Sequence, residues 1–199
     1  MATGTSVTRR LLGYAAPNYN NRPLAETVYA NMKLVGMPRW SADDQAFARA
    51  VQERNHRSLQ PLRSAIGGLA TPDTIRYGAN GSSDDIGDVM WNAPTIRFTY
   101  PANIPSLIGH NALSAMATAT PIAHKGAVAG AKVVAMTVLD LLTTPRIVQA
   151  ARVFQQDVQF REATYDPVLA PEDQPKSVFT PPLYGMLQCL QATPRFHIA

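Results

Sequence analysis

Sixteen prolines in 199 residues mark where this chain can and cannot form regular structure. Proline lacks a backbone N–H and its ring fixes φ, so it interrupts helix interiors and central strands but fits the first helical turn. Thr120-Pro121 and Thr144-Pro145 therefore read as N-cap and first-turn pairs. The first predicts a long helix to about Leu142, with Gly126 and Gly130 permitting close approach of a neighbour, and the second a helix through Ile147, Ala151, Phe154 and Val158. Upstream, the turn from Pro17 to Pro23 leads into a helix with Leu24, Val28, Met32 and Val35 on one face and a stop at Gly36. After Met37-Pro38, the Ser41-x-x-Asp44 pattern of a capping box launches another helix through Ala46, Phe47, Ala50 and Val51.

Two segments alternate with the period of a strand. Thr5, Val7, Arg9 and Leu11 predict a strand ending near Tyr14, and Thr95 to Tyr100 predicts a second, closed off by Pro101 and Pro105. Between Pro61 and Asn92 periodicity is lost, and Gly67, Gly68, Gly78 and Gly81 indicate loops around one or two short strands. Past Tyr165 the prolines crowd together, from Pro167 to Pro194, predicting a tail laid on the surface or disordered. Strands interleaved with helices predict an α/β layered domain.

Composition narrows the function classes. A 46% hydrophobic content suits a single domain with a real core. The net charge of +4 arises from 18 basic and 14 acidic side chains spread along the chain, without the dense basic cluster that nucleic-acid binding requires. Its one cysteine, Cys189, rules out an internal disulfide or multi-cysteine zinc site and fits a reducing, cytoplasmic setting. The longest apolar stretch, Gly126 to Leu142, is broken by Lys132 and Asp140, so no membrane span is expected. Arg9, Arg10 and Arg22 occur in a start low in acids, but without the amphipathic arginine helix of a transit peptide. P-loop, Gly-x-Gly-x-x-Gly, Gly-x-Ser-x-Gly and His-Glu-x-x-His motifs are all missing.

Two runs are rich in potential ligands. Gly81 to Trp91 holds Asp84, Asp85 and Asp88 within five residues; such carboxylates are tolerated when solvated, when capping a helix, or when a cation holds them. The second comprises Ile108-Gly109-His110-Asn111 and Pro121-Ile122-Ala123-His124-Lys125-Gly126. His110 has the Gly-flanked loop context of a metal ligand, whereas His124 falls in a first helical turn, where the dipole disfavours the imidazolium. His56 and His197 read as surface residues.

In order and spacing, these runs resemble the aminoacylase/carboxypeptidase-type zinc metallopeptidase (amidohydrolase) family. Members carry a stretch like Ser-Thr-Asp-Val-Gly-Asp-Val-Ser-Trp, matched by Asp84-Asp85-Ile86-Gly87-Asp88-Val89-Met90-Trp91. They follow it with a strand, a Gly-His-Ser-Trp motif and an Ala-His-Lys-Gly helix opening; the counterparts here are Gly109-His110-Asn111-Ala112 and Ala123-His124-Lys125-Gly126. The resemblance implies a half-domain of a layered αβα sheet: residues 1–20 as the last strand of a lid or dimerisation domain, 21–172 as the C-terminal half of the catalytic domain, and 173–199 as a Pro-rich tail. It also implies two divalent metals, zinc or manganese, with His110 as the final ligand and Asp85, Asp88 and His124 beside substrate or ligands. Its reaction is hydrolysis of amide bonds in N-acyl amino acids such as p-aminobenzoyl-glutamate.

The family's His-x-Asp and Glu-Glu motifs, which include the general base, have no counterpart in the sequence. One histidine cannot hold a hydrolytic metal and activate its water. The chain alone is therefore expected to be inactive and to need an N-terminal half or partner subunit in a homo- or hetero-oligomer. The alternative is a non-catalytic subunit or truncated pseudoenzyme that keeps the fold.

Overall fold

The computed structural model describes residues 4–7, 13–69, 85–162 and 164–166. The chain divides into two compact units, one from Ala15 to Tyr165 and the other combining Met1–Tyr14 with Asp166–Ala199. The described residues of the latter, 4–7, 13–14 and 166, carry neither helix nor strand. Asp84, Cys189, His197 and the Pro-rich tail lie outside the described residues.

The larger unit is helical. Its elements are α1 (Arg22–Val35), α2 (Ala42–Arg54), α3 (Ile86–Asn92), α4 (Ala112–Ala117), α5 (Pro121–Thr143), α6 (Pro145–Phe154), a π-helical turn (Gln155–Gln159) and α7 (Phe160–Glu162). Most termini follow the cap signals. Asn21 accepts from the Leu24 N–H at the start of α1, and Gly36, at φ 69°, closes that helix by donating to the Met32 carbonyl. Ser41 and Asp44 form a complete capping box for α2. Thr120 caps α5 through the Ala123 N–H.

Helix α1 packs on α5 and α6. Its buried Leu24, Ala25 and Val28 fit the predicted stripe, and Val133 of α5 is fully buried. Polar contacts pin the helices together: the Asn31 side-chain amide donates to Thr137 Oγ1 at 3.1 Å and to Asp140 Oδ2 at 2.8 Å. Ala48, Leu62, Ile104, Ala117 and Ile122 form one apolar cluster, and Ala16, Tyr19 and Trp91 form another. By length and composition α5 is the one helix among the described residues that could cross a bilayer, so Lys132 and Asp140 do not disqualify it as the sequence suggested. Within this unit it packs on α1.

The expected layered αβα sheet is overturned, because the described residues contain no strand. From Ile96 on the segment does alternate: Ile96, Phe98 and Tyr100 are half-buried while Arg97 and Thr99 are exposed; Thr95 is half-buried like its neighbour. Alternation tells which face is covered but not what pairs with the backbone. In this unit the neighbours are asparagines: the Asn21 N–H donates to the Thr95 carbonyl and the Arg97 N–H to Asn20 Oδ1, both at 2.9 Å. The strand expected before Tyr14 is likewise not found at residues 4–7 and 13–14, the rest of it lying outside the described residues.

The inward face of α2 also differs from expectation. Phe47 is 47% exposed, and Asp44, Ala48 and Gln52 turn inward. Seven residues apart, Gln45 and Gln52 clamp an extended segment. The Gln45 amide bonds both the N–H and the carbonyl of Leu62, and that of Gln52 bonds both groups of Gln60. A buried amide with both ends satisfied is compatible with a core, which hydrophobic periodicity alone cannot reveal.

Two glycines set how closely segments approach. A methyl group at Gly126 would overlap the Pro101 carbonyl oxygen and come within 2.7 Å of Ala102 Cα, whereas at Gly130 it would meet only the Tyr100 Cβ at 3.5 Å, an ordinary contact. Backbone cannot yield as a side chain can. Gly126→Ala is therefore expected to destabilise the unit by about 2–3 kcal/mol or more, while Gly130→Ala is neutral or stabilising by up to about 1 kcal/mol through helix propensity. Urea denaturation of both variants checks this; equal effects would contradict the packing described.

Candidate functional site

Helix α3 carries the aspartate run, and most of that run is engaged in holding residues 16–19. Gly87 lies flush against the Ala16 backbone, where a β-carbon would overlap the carbonyl oxygen. Asp88 accepts from the Ala16 N–H at 3.2 Å through one oxygen and from the Tyr165 hydroxyl at 2.8 Å through the other. Trp91 donates its indole N–H to the Pro17 carbonyl at 2.9 Å. Its ring meets Tyr19 edge-on at 6.1 Å and stacks near Tyr165 at 6.4 Å. Asp85 occupies the N-cap position of α3 but makes no side-chain cap bond and is exposed.

The second run divides in the same way. Ile122 and Ala123 are buried, Lys125 pairs with the Asp44 carboxylate, and Gly126 packs on Pro101. A cation near the start of a helix opposes the dipole, and Asp44, in the first turn of α2, offsets it. The Lys125 hydrogen bond, followed by that from the Ser41 N–H, holds the buried Asp44 carboxyl below its usual range. His124 is exposed. It lines a groove of about 520 Å³ together with Val35–Arg39, Lys125 and Lys132.

His110 is exposed on the loop before α4 and adopts φ 57°, a left-handed conformation uncommon for a side-chain-bearing residue. Asn111 next to it caps α4 by accepting from the Ser114 N–H at 3.0 Å. The loop position expected for His110, beyond Thr95–Tyr100 and before the long helix, is the one observed. Among the described residues, no three His, Cys, Asp or Glu side chains lie close enough together to hold a metal ion. His110, His124 and Asp85 thus stand on the surface without forming one ligand set, and both Asp88 oxygens are engaged with the protein.

The Asp44–Lys125 pair was not anticipated from the sequence, although a lysine near a helix start favours an acidic partner. Asn21 was also missed. Its side chain, 0% exposed, caps α1 and also donates to the Ala151 carbonyl at 2.8 Å and to Gln159 Oε1 at 3.3 Å.

Comparison with known proteins gives one informative match. The chain is 25% identical over 205 aligned positions to a p-aminobenzoyl-glutamate hydrolase subunit of Escherichia coli (strain K12), covering 92% of this chain and 41% of that protein. It therefore spans about two fifths of the relative's length. The match supports a link to a hydrolase of the amidohydrolase and peptidase kind. No family model matches the sequence, and no solved structure matches it.

Because folding lowers the Asp44 pKa, the unfolded chain binds the extra proton as pH falls. The stabilisation is full above the ordinary carboxylate range near about 4 and is lost as pH drops through it and below. Asp44→Asn should accordingly flatten the fall in stability between about pH 5 and pH 3, measured by urea denaturation across that range. Parallel curves for variant and parent would contradict the ion pair.

Proposed function

We propose that this chain is the His110-bearing part of a metal-dependent amidohydrolase acting on N-acyl amino acids such as p-aminobenzoyl-glutamate. It works only together with an N-terminal half or partner subunit that supplies the remaining ligands and the general base. The observation that carries this reading is the match along 92% of the chain to a protein named as a p-aminobenzoyl-glutamate hydrolase subunit, of which the larger part has no counterpart here. The described residues do not fit a two-metal centre by themselves. His110 is the side chain that would contribute to zinc or manganese, with Asp85 and His124 near substrate. Asp88, expected from the sequence to lie beside the site, serves in this proposal by fixing Ala16 and Tyr165.

The surface of α5 supports incompleteness. Val128, Val134, Val138, Leu139 and Leu142 are all about half exposed or more, and a contiguous apolar stripe of that length on a free surface marks a place for something else to pack. A cytoplasmic setting belongs to the same proposal, since a single cysteine offers no internal disulfide. The second reading, a non-catalytic subunit that keeps the fold, draws on the structural engagement of Gly87, Asp88, Trp91, Lys125 and Gly126.

The test compares the purified chain with a mixture of the chain and the segments of the Escherichia coli protein that it lacks, with zinc or manganese and p-aminobenzoyl-glutamate. The chain alone is expected to release no p-aminobenzoate. The mixture should take up metal and hydrolyse the substrate, with His110→Ala weakening metal affinity at least about tenfold, since affinity grows with each preorganised ligand. Hydrolysis by the chain alone, or metal uptake by the mixture that ignores His110→Ala, would contradict the proposal.

A further inference from the structure

The groove that His124 lines has two facing walls. One is α5, where His124, Val128 and Lys132 follow one another four residues apart along a single helix face. The other is the connection Val35–Arg39 between α1 and α2. The two walls run in opposite directions. Asn31 of α1 bonds Thr137 of α5, and Asp44 of α2 pairs with Lys125, so the chain between them passes α5 from its middle toward its start. Val35 and Gly36 therefore lie toward Lys132, and Arg39 lies toward His124. Met37, Pro38, Val128 and Ala129 leave the stretch between them apolar.

Charge is unbalanced in this groove. None of its lining residues is acidic. Asp44 already neutralises Lys125, whereas Arg39 and Lys132 are exposed and have no ion-pair partner among the described residues. The walls are braced. The Tyr100 hydroxyl donates to the Gly36 carbonyl, the Trp40 indole N–H donates to the Arg63 carbonyl at 2.8 Å, and Gly126 seats α5 on Pro101. A preformed concavity of about 520 Å³, apolar in the middle with a few placed polar groups, has the size and make-up of a small-molecule site.

We propose that this groove binds an elongated organic dianion, an apolar body with a carboxylate at each end. Arg39 takes one carboxylate through the planar fork of its guanidinium, with the His124 imidazole beside it as a hydrogen-bond partner. Lys132 takes the other as a point charge. Two helical turns separate His124 from Lys132, so the two ends of the site lie roughly 12 Å apart along α5. A compact anion reaches only one of them. The apolar middle adds affinity through the area that Met37, Pro38 and Val128 cover. The inference uses the groove's charge and shape and does not depend on the amidohydrolase reading.

Calorimetric titration of the full chain without metal tests this, with nonanedioate, nonanoate and butanedioate as probes. Nonanedioate should bind one to one. Nonanoate leaves one end of the groove empty, and butanedioate carries both charges but cannot span them, so each should bind at least about fivefold more weakly, the worth of one exposed ion pair. Arg39→Gln and Lys132→Gln should each weaken nonanedioate about fivefold and erase its advantage over nonanoate. Both side chains are exposed, so neither substitution touches the core. Arg146→Gln, which removes an exposed cation of α6 outside the groove, should leave the affinity unchanged. The proposal is overturned if nonanedioate does not bind, if butanedioate binds as tightly, or if Arg146→Gln costs as much as the two groove variants. Failure of p-aminobenzoyl-glutamate hydrolysis in the mixture above would leave these titrations untouched, because they read binding and involve neither metal nor turnover.

Discussion

The unit between Ala15 and Tyr165 depends on one buried amide, the side chain of Asn21. Besides capping α1 at Leu24, it ties that helix start to two distant segments: it donates to the Ala151 carbonyl of α6 and to Gln159 in the π-helical turn, while the Asn21 N–H fixes Thr95. Gln159 extends the network to the Tyr19 carbonyl at 2.9 Å, and Gln155, one turn earlier, bonds the Met90 carbonyl at 3.2 Å. Four residues apart, the two glutamines share one helix face, and both are buried. Each bond adds about 1 kcal/mol net, but losing the hub strands several buried groups at about 1–3 kcal/mol each.

Around that hub, the two ligand-rich runs divide their residues between holding the fold and meeting solvent. Gly87, Asp88, Met90 and Trp91 grip residues 16–19, which lead directly into Asn21. Lys125 and Gly126 set α5 against α2 and against the turn at Pro101. What remains exposed is His110, His124 and Asp85. A run rich in potential ligands can thus reflect packing as much as chemistry, and in these two runs packing accounts for most of the residues.

The longer helices were legible because their signals are local. Thr-Pro pairs, Ser41 with Asp44, and Gly36 act within one turn of the backbone and are read directly from sequence. The π turn continuing α6 to Gln159 follows the predicted run through Val158. The sheet failed for a different reason: the alternation is real in the burial of Ile96 to Tyr100, but pairing depends on what lies alongside, which sequence does not encode locally. Helices α3 and α4 are too short for periodicity to declare. The inward glutamines of α2 and the buried Asn21 break the rule that polar residues face solvent, and only their distant partners explain them. For the candidate site, the loop position of His110 was legible, whereas the capture of Asp88 by Ala16 and Tyr165 was not.

If Asn21 organises the unit as described, its contribution cannot be separated from that of Gln159, and a double-mutant cycle measures this directly. Asn21→Ala, Gln159→Ala and the double variant are compared by urea denaturation. The network predicts that each single substitution costs about 1–3 kcal/mol and that the pair shows a coupling of about 1 kcal/mol or more, since residues in one buried hydrogen-bond network are not additive. Additivity within about 0.3 kcal/mol would mean that the two side chains act independently, and the hub would have to be abandoned.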